Sequence, residues 1–312
     1  MKEKNPFAKS LANKRYYTWD YHLKEKFGGK VFKVSLDGGF SCPNIDGTKG
    51  RGGCSYCNYS FCRQTADDLL TQFKNGVDTL HKKWPTADKY IPYFQANTNT
   101  YAPVSELREK YETVLGEKGV VGLSIATRAD ALPCDVLDYL EELNKKTYLI
   151  VELGLQTIHD QTAKRINRGH DYKTFLEGVK KLSDRNIPIG VHIINGLPGE
   201  SYEMMIETVK EISKLPIHTL KIHLLHIIKG TKMADEYQNG EFQTMELHDY
   251  VKVVCDQLEL LNPDIVVQRV TGDGLKDSLI APLWSLKKFV VMNEIDKELS
   301  RRNSYQGKYY KK

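Results

Sequence analysis

The sequence predicts an α/β fold, a partial (β/α)6 TIM-like barrel flanked by short N-terminal and C-terminal extensions. Two observations carry that prediction. Strand-like and helix-like segments alternate through the middle of the chain, with successive strands starting at 89, 120, 147 and 187. Each interval is long enough for a crossover helix, which is the mark of a parallel sheet. Polar, glycine-rich stretches follow the strands directly, and in such a barrel that places them together on one rim. Six strand–helix units are too few to close an eight-stranded barrel, so an open one is expected.

Composition sets the outer bounds. With 312 residues, 40% hydrophobic and 27% charged, the chain fits one globular core. It has no long apolar run and no apolar targeting segment near Met1, so the expected location is cytoplasmic, with no membrane span. The net charge of +5 is uneven: +6 over residues 1–33 and +5 over 301–312, which leaves −6 for the rest. Basic ends interleaved with aromatics (Tyr16, Tyr17, Trp19, Tyr21; Tyr305, Tyr309, Tyr310) point to a polyanion with unpaired bases. Lys14, Arg15, Arg301 and Arg302 are its candidate contacts. A solvated N-terminal helix and a frayed tail are the plainer reading.

Residues 1–29 form the basic extension. Residues 30–36 alternate apolar and polar side chains and read as the first strand. That strand leads into the stretch with the most specific chemistry, Cys42-x11-Cys54-x2-Cys57, set among glycines 47, 50, 52 and 53. The glycines let the loop fold back so that three thiolates reach one metal centre. A structural zinc wants four closed ligands, with Cys62 as the fourth; a 4Fe–4S cluster held by three cysteines leaves one iron open. A disulfide framework does not suit six sparse cysteines, and Cys134 and Cys255 are expected to be packing residues.

An amphipathic helix is expected over 66–84, ended by Pro85. Strands follow at 89–95, 120–127, 147–155, 187–194 and 219–228, with helices at 104–115, 135–145, 160–185 (broken near Gly169) and 201–214. Behind the strands lie residues 95–101; then Thr127, Arg128 and Asp130; then Gly154, Gln156 and Thr157; then residues 195–200. His192, His218, His223 and His226, on or near strands, read as neutral core or rim histidines in preference to ligands of a second metal. From 236 the rhythm changes, after a core at 30–235. Helix 245–261, a short strand over 264–270, a loop at 271–274 and helix 282–302 form an extension expected to close the open side of the barrel. Arg269 and Asp273 there are candidate substrate contacts, although Gly-Asp-Gly is also a turn.

In order and spacing these motifs resemble the radical S-adenosylmethionine (radical SAM) enzymes. The cysteine loop after the first strand, with Tyr56 before the last cysteine, is similar to that family's cluster motif, with a longer first spacing than the commonest form. Val-Glu-Leu-Gly-Leu-Gln-Thr (151–157), Ile-Asn-Arg-Gly-His (166–170), Gly-Leu-Pro-Gly-Glu (196–200), Leu-Lys-Ile-His (220–223) and Lys-Gly-Thr-Lys-Met (229–233) are similar to the radical domain of the Elongator catalytic subunit. Nearly the whole length, including Val-Thr-Gly-Asp-Gly (270–274) and Ile-Ala-Pro-Leu-Trp-Ser-Leu (280–286), looks like the bacterial YtqA/YhcC family.

The resemblance implies a barrel of the radical SAM type in which Cys42, Cys54 and Cys57 bind a 4Fe–4S cluster. Its open iron chelates S-adenosyl-L-methionine (SAM), and an electron from a flavodoxin- or ferredoxin-type donor cleaves SAM to a 5′-deoxyadenosyl radical. Gln95, Asn97, Thr98 and Asn99 stand where the family carries Gly-Gly-Glu and would meet the SAM amino group. Gln156 and Arg168 match residues that contact the ribose and carboxylate, a role suited to a guanidinium fork. Gly196 and Pro198 would pass under the adenine. Related enzymes carry a glutamate after the third strand; here Thr127 stands there, and Glu152 would take part of that work. The YtqA branch looks linked to wobble uridine in tRNA. The expected reaction converts its 5-carboxymethylaminomethyl(-2-thio)uridine to 5-aminomethyl(-2-thio)uridine, before a separate methyltransferase acts. Acetyl transfer is not expected, with too few residues after Tyr237 for that domain. The competing readings are a small-metabolite or protein substrate and, from another class, a non-catalytic RNA-binding protein with structural zinc.

Overall fold

The computed structural model describes residues 5–10, 13–58, 67–272, 274 and 276–311. Cys62 and Asp273 therefore lie outside the described residues. The chain opens with α1 (Trp19–Phe27), which begins where the Thr18 hydroxyl accepts the Tyr21 amide and ends where Gly28 turns left-handed at φ 68°. Next come β1 (Phe32–Leu36), α2 (Leu69–Lys83), β2 (Tyr90–Phe94), α3 (Val104–Leu115), β3 (Gly122–Thr127), α4 (Cys134–Lys146) and β4 (Tyr148–Gln156). Then follow α5 (Asp160–Arg165), α6 (Tyr172–Ser183), β5 (Ile189–Asn195), α7 (Tyr202–Ile212) and β6 (Thr219–Leu224). The chain continues through β7 (Ile227–Ile228), α8 (Lys232–Gln238), α9 (Leu247–Leu260), β8 (Val266–Arg269), β9 (Leu279–Ala281), a 3-10 turn (Leu283–Leu286) and α10 (Lys288–Arg301).

One parallel sheet runs in the order β1-β2-β3-β4-β5-β6-β8. All six expected strands are in it. The short strand read near the C-terminus is its seventh member, with Val266 opposite Thr219 of β6. The strand expected over 219–228 is broken: Leu224 and Leu225 are both buried, so alternation fails there. β7 leaves the sheet to pair antiparallel with β9. Lys33 of β1 reaches Gln268 of β8, Nζ to Oε1 2.7 Å. The sheet therefore curls until side chains of its first and last strands meet inside an open barrel.

Alternation along the strands sorts the side chains between two environments. Leu123, Ile125, Val151, Leu153, Val191, Ile193, Leu220 and Ile222 face outward and are buried with Leu107, Tyr111, Leu140, Phe175 and Val209 of the covering helices. Each such side chain contributes about 1.5–3 kcal/mol, so this layer carries the stability. The inward set is polar: Lys33, Ser124, Glu152, His192, Lys221 and Gln268 meet in one hydrogen-bonded cluster. Below that cluster Leu23 of α1 packs on Val31 and Ile91, with Trp19, Phe27, Val121 and Tyr148 around them. These residues lie at the strand starts, so α1 plugs the bottom of the barrel and leaves the top open.

Two local expectations change. Cys134 begins α4 and is exposed, because the first residue of that helix faces solvent; Cys255 is buried as expected. The tail is packed in place of fraying. The Gln306 amide donates to Arg15 O at 2.9 Å and the Tyr309 amide to Glu259 O at 2.8 Å. Among the described residues no helix is long and apolar enough to cross a membrane.

Candidate active site

The strand ends open into a cavity of ≈ 500 Å³. Cys42, Cys54 and Cys57 line it together with Gln95, Asn97, Thr98, Thr127, Glu152, Gln156, Arg168 and Arg269. Most of the site read from the sequence is thus brought around one cavity. Asn99, Gly196 and Pro198 do not line this cavity. The Asn99 amide instead donates to Phe94 O and Ala126 O, at 3.1 and 2.7 Å, and ties β2 to β3. The Gly196 amide faces the Met205 sulfur at 3.3 Å.

The cysteine loop is held by the turn between α5 and α6. Asn44 donates to Asn167 O at 2.7 Å and lies 3.7 Å from the Cys54 sulfur. Asn167 returns hydrogen bonds to Gly53 O and Arg51 O at 2.7 and 3.1 Å, and the Ser55 amide donates to Ile166 O at 2.9 Å. Tyr56 seats the loop in a small apolar cluster with Ile166, Leu197, Leu225, Ile227 and Met233. The Ile-Asn-Arg-Gly-His segment is therefore the clamp on the cysteines as well as the source of Arg168.

The donor set fits a cluster held by three thiolates. Cys42 and Cys54 are buried and Cys57 half-buried, and all three line the same cavity. The Cys57 hydrogen bond pushes the Cys54 thiol down to about 5, with help from the Arg168 and Arg128 charges against the opposing effect of burial; a thiolate is the form that holds iron. Among the described residues no three His, Cys, Asp or Glu side chains converge on a single-ion position. Beside the thiols, Arg168 Nε and Thr98 Oγ1 are buried without a hydrogen-bond partner among the described residues. Polar groups left so on a cavity wall suit a ligand that satisfies them.

Gln156 and Arg168 are placed by strain and by space. A β-bulge between Gly154 and Gln156 puts Gln156 at φ 76°, a conformation that costs a side chain energy and re-aims it. Arg168 Nη2 donates to Gly154 O at 2.5 Å, and a Cβ on Gly154 would stand 3.1 Å from that nitrogen. Arg128 buttresses the turn from below, paired to Asp130 at 2.8 and 2.9 Å and donating to Arg168 O at 2.8 Å.

Deeper in the lumen Glu152 is fully buried and accepts from Lys33 Nζ and Lys221 Nζ at 2.5 Å each, Ser124 and His192 at 2.8 Å each, and Gln268 at 3.1 Å. Burial alone would raise its pKa, but Lys221, Lys33 and His192 outweigh that and hold it well below the usual carboxylate range. The opposing position on β5 is Gly190, where a Cβ would stand 3.0 Å from Glu152 Cγ and 2.7 Å from Thr219 Oγ1. Burial pushes His192 down to about 4 and His223 well below its ordinary value, so both are neutral. His218 accepts the Ile189 amide at 3.2 Å.

Sequence reasoning assigned no role to Asn44, Lys33, Tyr93 or Lys221, and read His223 only as a neutral core or rim histidine. The available signal was a Lys-x-His step inside an otherwise apolar strand of a parallel sheet, where charge is unexpected. The basic residues of the termini do not reach the cavity. Lys14 pairs with Asp296, Arg15 is buried against Asn303 and Ser304 O, Arg301 pairs with Glu298, and Arg302 bridges Asp256 and Glu298.

Residues 46–212 match the family profile described as Radical SAM superfamily, and residues 217–301 match the Radical_SAM C-terminal domain. Over 316 residues the chain is 52% identical to the uncharacterized protein YtqA of Bacillus subtilis (strain 168), an alignment covering 100% of this chain and 98% of YtqA. It is 36% identical over 282 residues to protein YhcC of Escherichia coli (strain K12), 89% of this chain and 90% of YhcC. A more distant match, 26% over 156 residues, joins 49% of this chain to 29% of the tRNA uridine(34) acetyltransferase of Methanocaldococcus infernus. Among solved structures, the archaeal Methanocaldococcus infernus Elp3 with N-terminus deletion shares the fold. Its TM-score is 0.68 at 18% identity, over 88% of this chain and 64% of that one. With a profile spanning more than half its length and relatives matched nearly end to end, the chain belongs to the radical SAM superfamily and, within it, to the YtqA/YhcC family.

Proposed function

We propose that this radical SAM enzyme modifies the wobble uridine of tRNA, converting 5-carboxymethylaminomethyl(-2-thio)uridine to 5-aminomethyl(-2-thio)uridine. When bound, the family's 4Fe–4S cluster and SAM supply an electron and a 5′-deoxyadenosyl radical that takes hydrogen from the substrate. The chain's own part is to hold and shield them. Cys42, Cys54 and Cys57 would carry the cluster; Gln156 and Arg168, with Gln95, Asn97, Thr98 and Thr127, would seat SAM, the Arg168 fork on its carboxylate.

The observation that carries the tRNA reading is the similarity to a tRNA uridine(34) acetyltransferase. Two features support it. A cavity of ≈ 500 Å³ does not admit a helix, so a tRNA would present it with a single extruded base, and the wobble base is an accessible unstacked one. Its mouth is ringed by exposed basic side chains, Lys49, Arg51, Lys164, Arg165, Lys229 and Lys232. They are neighbours because Asn167 binds Arg51 O and Asn58 binds Lys229 O. Lys232 and Arg165 share Glu236 at 3.7 and 3.8 Å, Lys49 pairs with Asp130 at 3.9 Å, and Lys229 donates to Asp277 O at 2.8 Å; ion pairs this long are weak, and phosphates can compete for the cations. A flavodoxin- or ferredoxin-type donor would supply the electron, and a separate methyltransferase would act on the product.

Mass spectrometry of tRNA nucleosides from a deletion strain tests the substrate. The 5-carboxymethylaminomethyl form should accumulate and the 5-aminomethyl form disappear; unchanged wobble uridines overturn the reading. For the cluster, anaerobically purified Cys54→Ala should lose its iron and its reductive release of 5′-deoxyadenosine. A variant that keeps both removes the three-cysteine assignment.

A further inference from the structure

Inside the barrel two ammonium groups share one carboxylate. Lys33 Nζ and Lys221 Nζ each lie 2.5 Å from an oxygen of Glu152, and the Tyr93 ring lies against both, 4.5 and 4.1 Å from the nitrogens. With the Arg269 guanidinium also acting on both lysines and on His223, the lumen holds more cations than Glu152 neutralises, in a place where the Glu152 side chain is 0% and the Lys221 side chain 5% exposed. A buried charge short of a counter-ion is costly. Sites that keep one tend to be sites of binding or catalysis.

The two lysines are not equivalent. The three N–H groups of Lys33 are taken by Glu152, Ser124 and Gln268. Lys221 has Glu152 and the Tyr93 hydroxyl at 2.9 Å, which leaves its third N–H without an acceptor among the described residues. Two residues further along the same inward face of β6, His223 Nε2 is buried without a partner among the described residues. Both side chains line the cavity that the cysteines line.

We propose that this corner of the lumen is a receptor for one carboxylate of the substrate, with Lys221 its principal donor and His223 Nε2 beside it. The match is in charge and in number of groups: a cationic corner that offers one Lys221 N–H and the His223 Nε2 suits the two oxygens of a single carboxylate. Burial holds both lysines below their ordinary range despite Glu152, as befits ammonium groups short of negative charge, and an arriving carboxylate relieves that shortage. The receptor rests on the surplus of cations and on these two groups, unpartnered among the described residues. Its identification with the carboxymethyl arm of the modified uridine rests on the tRNA reading above.

Thermal unfolding of the anaerobically purified, cluster-loaded protein, saturated with SAM so that the SAM carboxylate is already seated, tests the receptor directly. The probes are N-acetylglycine, N-acetylglycinamide and inorganic phosphate. N-acetylglycine should stabilise at concentrations at least ~10-fold below the amide, the worth of one charge-assisted hydrogen bond, and K221M should erase the difference. Equal shifts for acid and amide, or an acid preference that survives in K221M, overturn the proposal; preference for phosphate overturns the carboxylate assignment. Should K221M not fold, the acid–amide comparison in the unaltered protein still decides.

A second arm uses anticodon stem-loops carrying 5-carboxymethylaminomethyluridine or its carboxamide, with the acid expected to bind at least ~10-fold tighter. Equal binding of the two stem-loops sinks the receptor and leaves the tRNA reading standing. Binding of N-acetylglycine with neither stem-loop retained sinks the tRNA reading and supports the receptor.

Discussion

The substitution Glu152→Gln changes almost nothing in shape and is expected to cost the protein several kcal/mol. It removes the negative charge addressed by Lys33, Lys221, His192, Ser124 and Gln268. Two buried ammonium groups then lack a counter-ion, and breaking a buried ion pair from one side costs about 3–5 kcal/mol. At an unfolding entropy of ~2.1 cal/mol/K per residue, a chain of 312 residues loses about 5–8 °C in Tm for that change. Scanning calorimetry of the cluster-loaded protein measures it. Loss of one amide-sized contact would give the same sign, so the decisive comparison is the double variant. Lys33→Met removes one of the stranded charges, and Glu152→Gln/Lys33→Met should recover about half the loss, ~1.5–2.5 kcal/mol, so that the coupling is at least that large. A Tm shift below about 2 °C, or single-variant losses that simply add, would refute the view that Glu152 neutralises the lumen.

Three further outcomes follow from the geometry. Gln156→Gly relieves a left-handed backbone at φ 76°, so the unfolding temperature should hold or rise by the equivalent of ~1 kcal/mol. SAM affinity by titration calorimetry should fall at least ~10-fold on losing a hydrogen bond to bound ligand, and undiminished affinity takes Gln156 out of the site. Reversing charge at the cavity mouth with Lys229→Glu/Lys232→Glu should weaken tRNA retention and reduce the salt slope of binding by about 1–2; an unchanged slope places the RNA elsewhere. His192, held at about 4 by burial, and His223, held well below its ordinary value, stay neutral in the folded protein while the unfolded chain takes up protons below about 6.5. The unfolded state then binds more protons, so stability is full above that pH and falls as pH drops toward 4. The slope is about 1.4 kcal/mol per pH unit for each histidine that titrates fully. Urea denaturation at pH 7, 5.5 and 4.5 reads it, and a flat profile would mean that these histidines are solvated.

Much of the fold is legible in the sequence because period and punctuation agree. The helix at 104–115 and the break near Gly169 are visible from apolar spacing alone, and the cysteine spacing points to its chemistry without any fold. What is hidden is pairing at long range. Lys33 and Lys221 read as ordinary strand lysines until Glu152, 119 and 69 residues away in sequence, appears between them. Asn44 is an unremarked residue between two cysteines until Asn167, 123 positions on, accepts its amide. The termini show the same limit from the other side: composition counts Lys14, Arg15, Arg301 and Arg302 as surplus charge, while the fold gives each a partner. Exposed basic charge gathers instead at the mouth, contributed by three separate segments whose proximity no single stretch reveals.

The polar lumen also explains why the strands alternate at all. Strands of a parallel sheet buried on both faces usually read as continuous apolar runs, and an eight-stranded barrel fills its interior with branched side chains. Here the interior positions carry Lys33, Ser124, Glu152, His192, Lys221 and Gln268, and Gly190 is small because Glu152 needs the space. Such an interior forgoes the apolar packing that would stabilise a closed barrel. That stabilisation comes instead from the outer helical layer and from α1, whose Leu23, with Trp19 and Phe27, seals the floor with apolar contacts. The division has a chemical consequence: below the cysteine rim lie fixed charges and hydrogen-bond donors that can hold a polar ligand in one orientation. An apolar interior would offer it shape and no handle. Alternation in the strands of this parallel barrel is therefore a functional signal, because every inward polar residue is one that packing alone would have replaced.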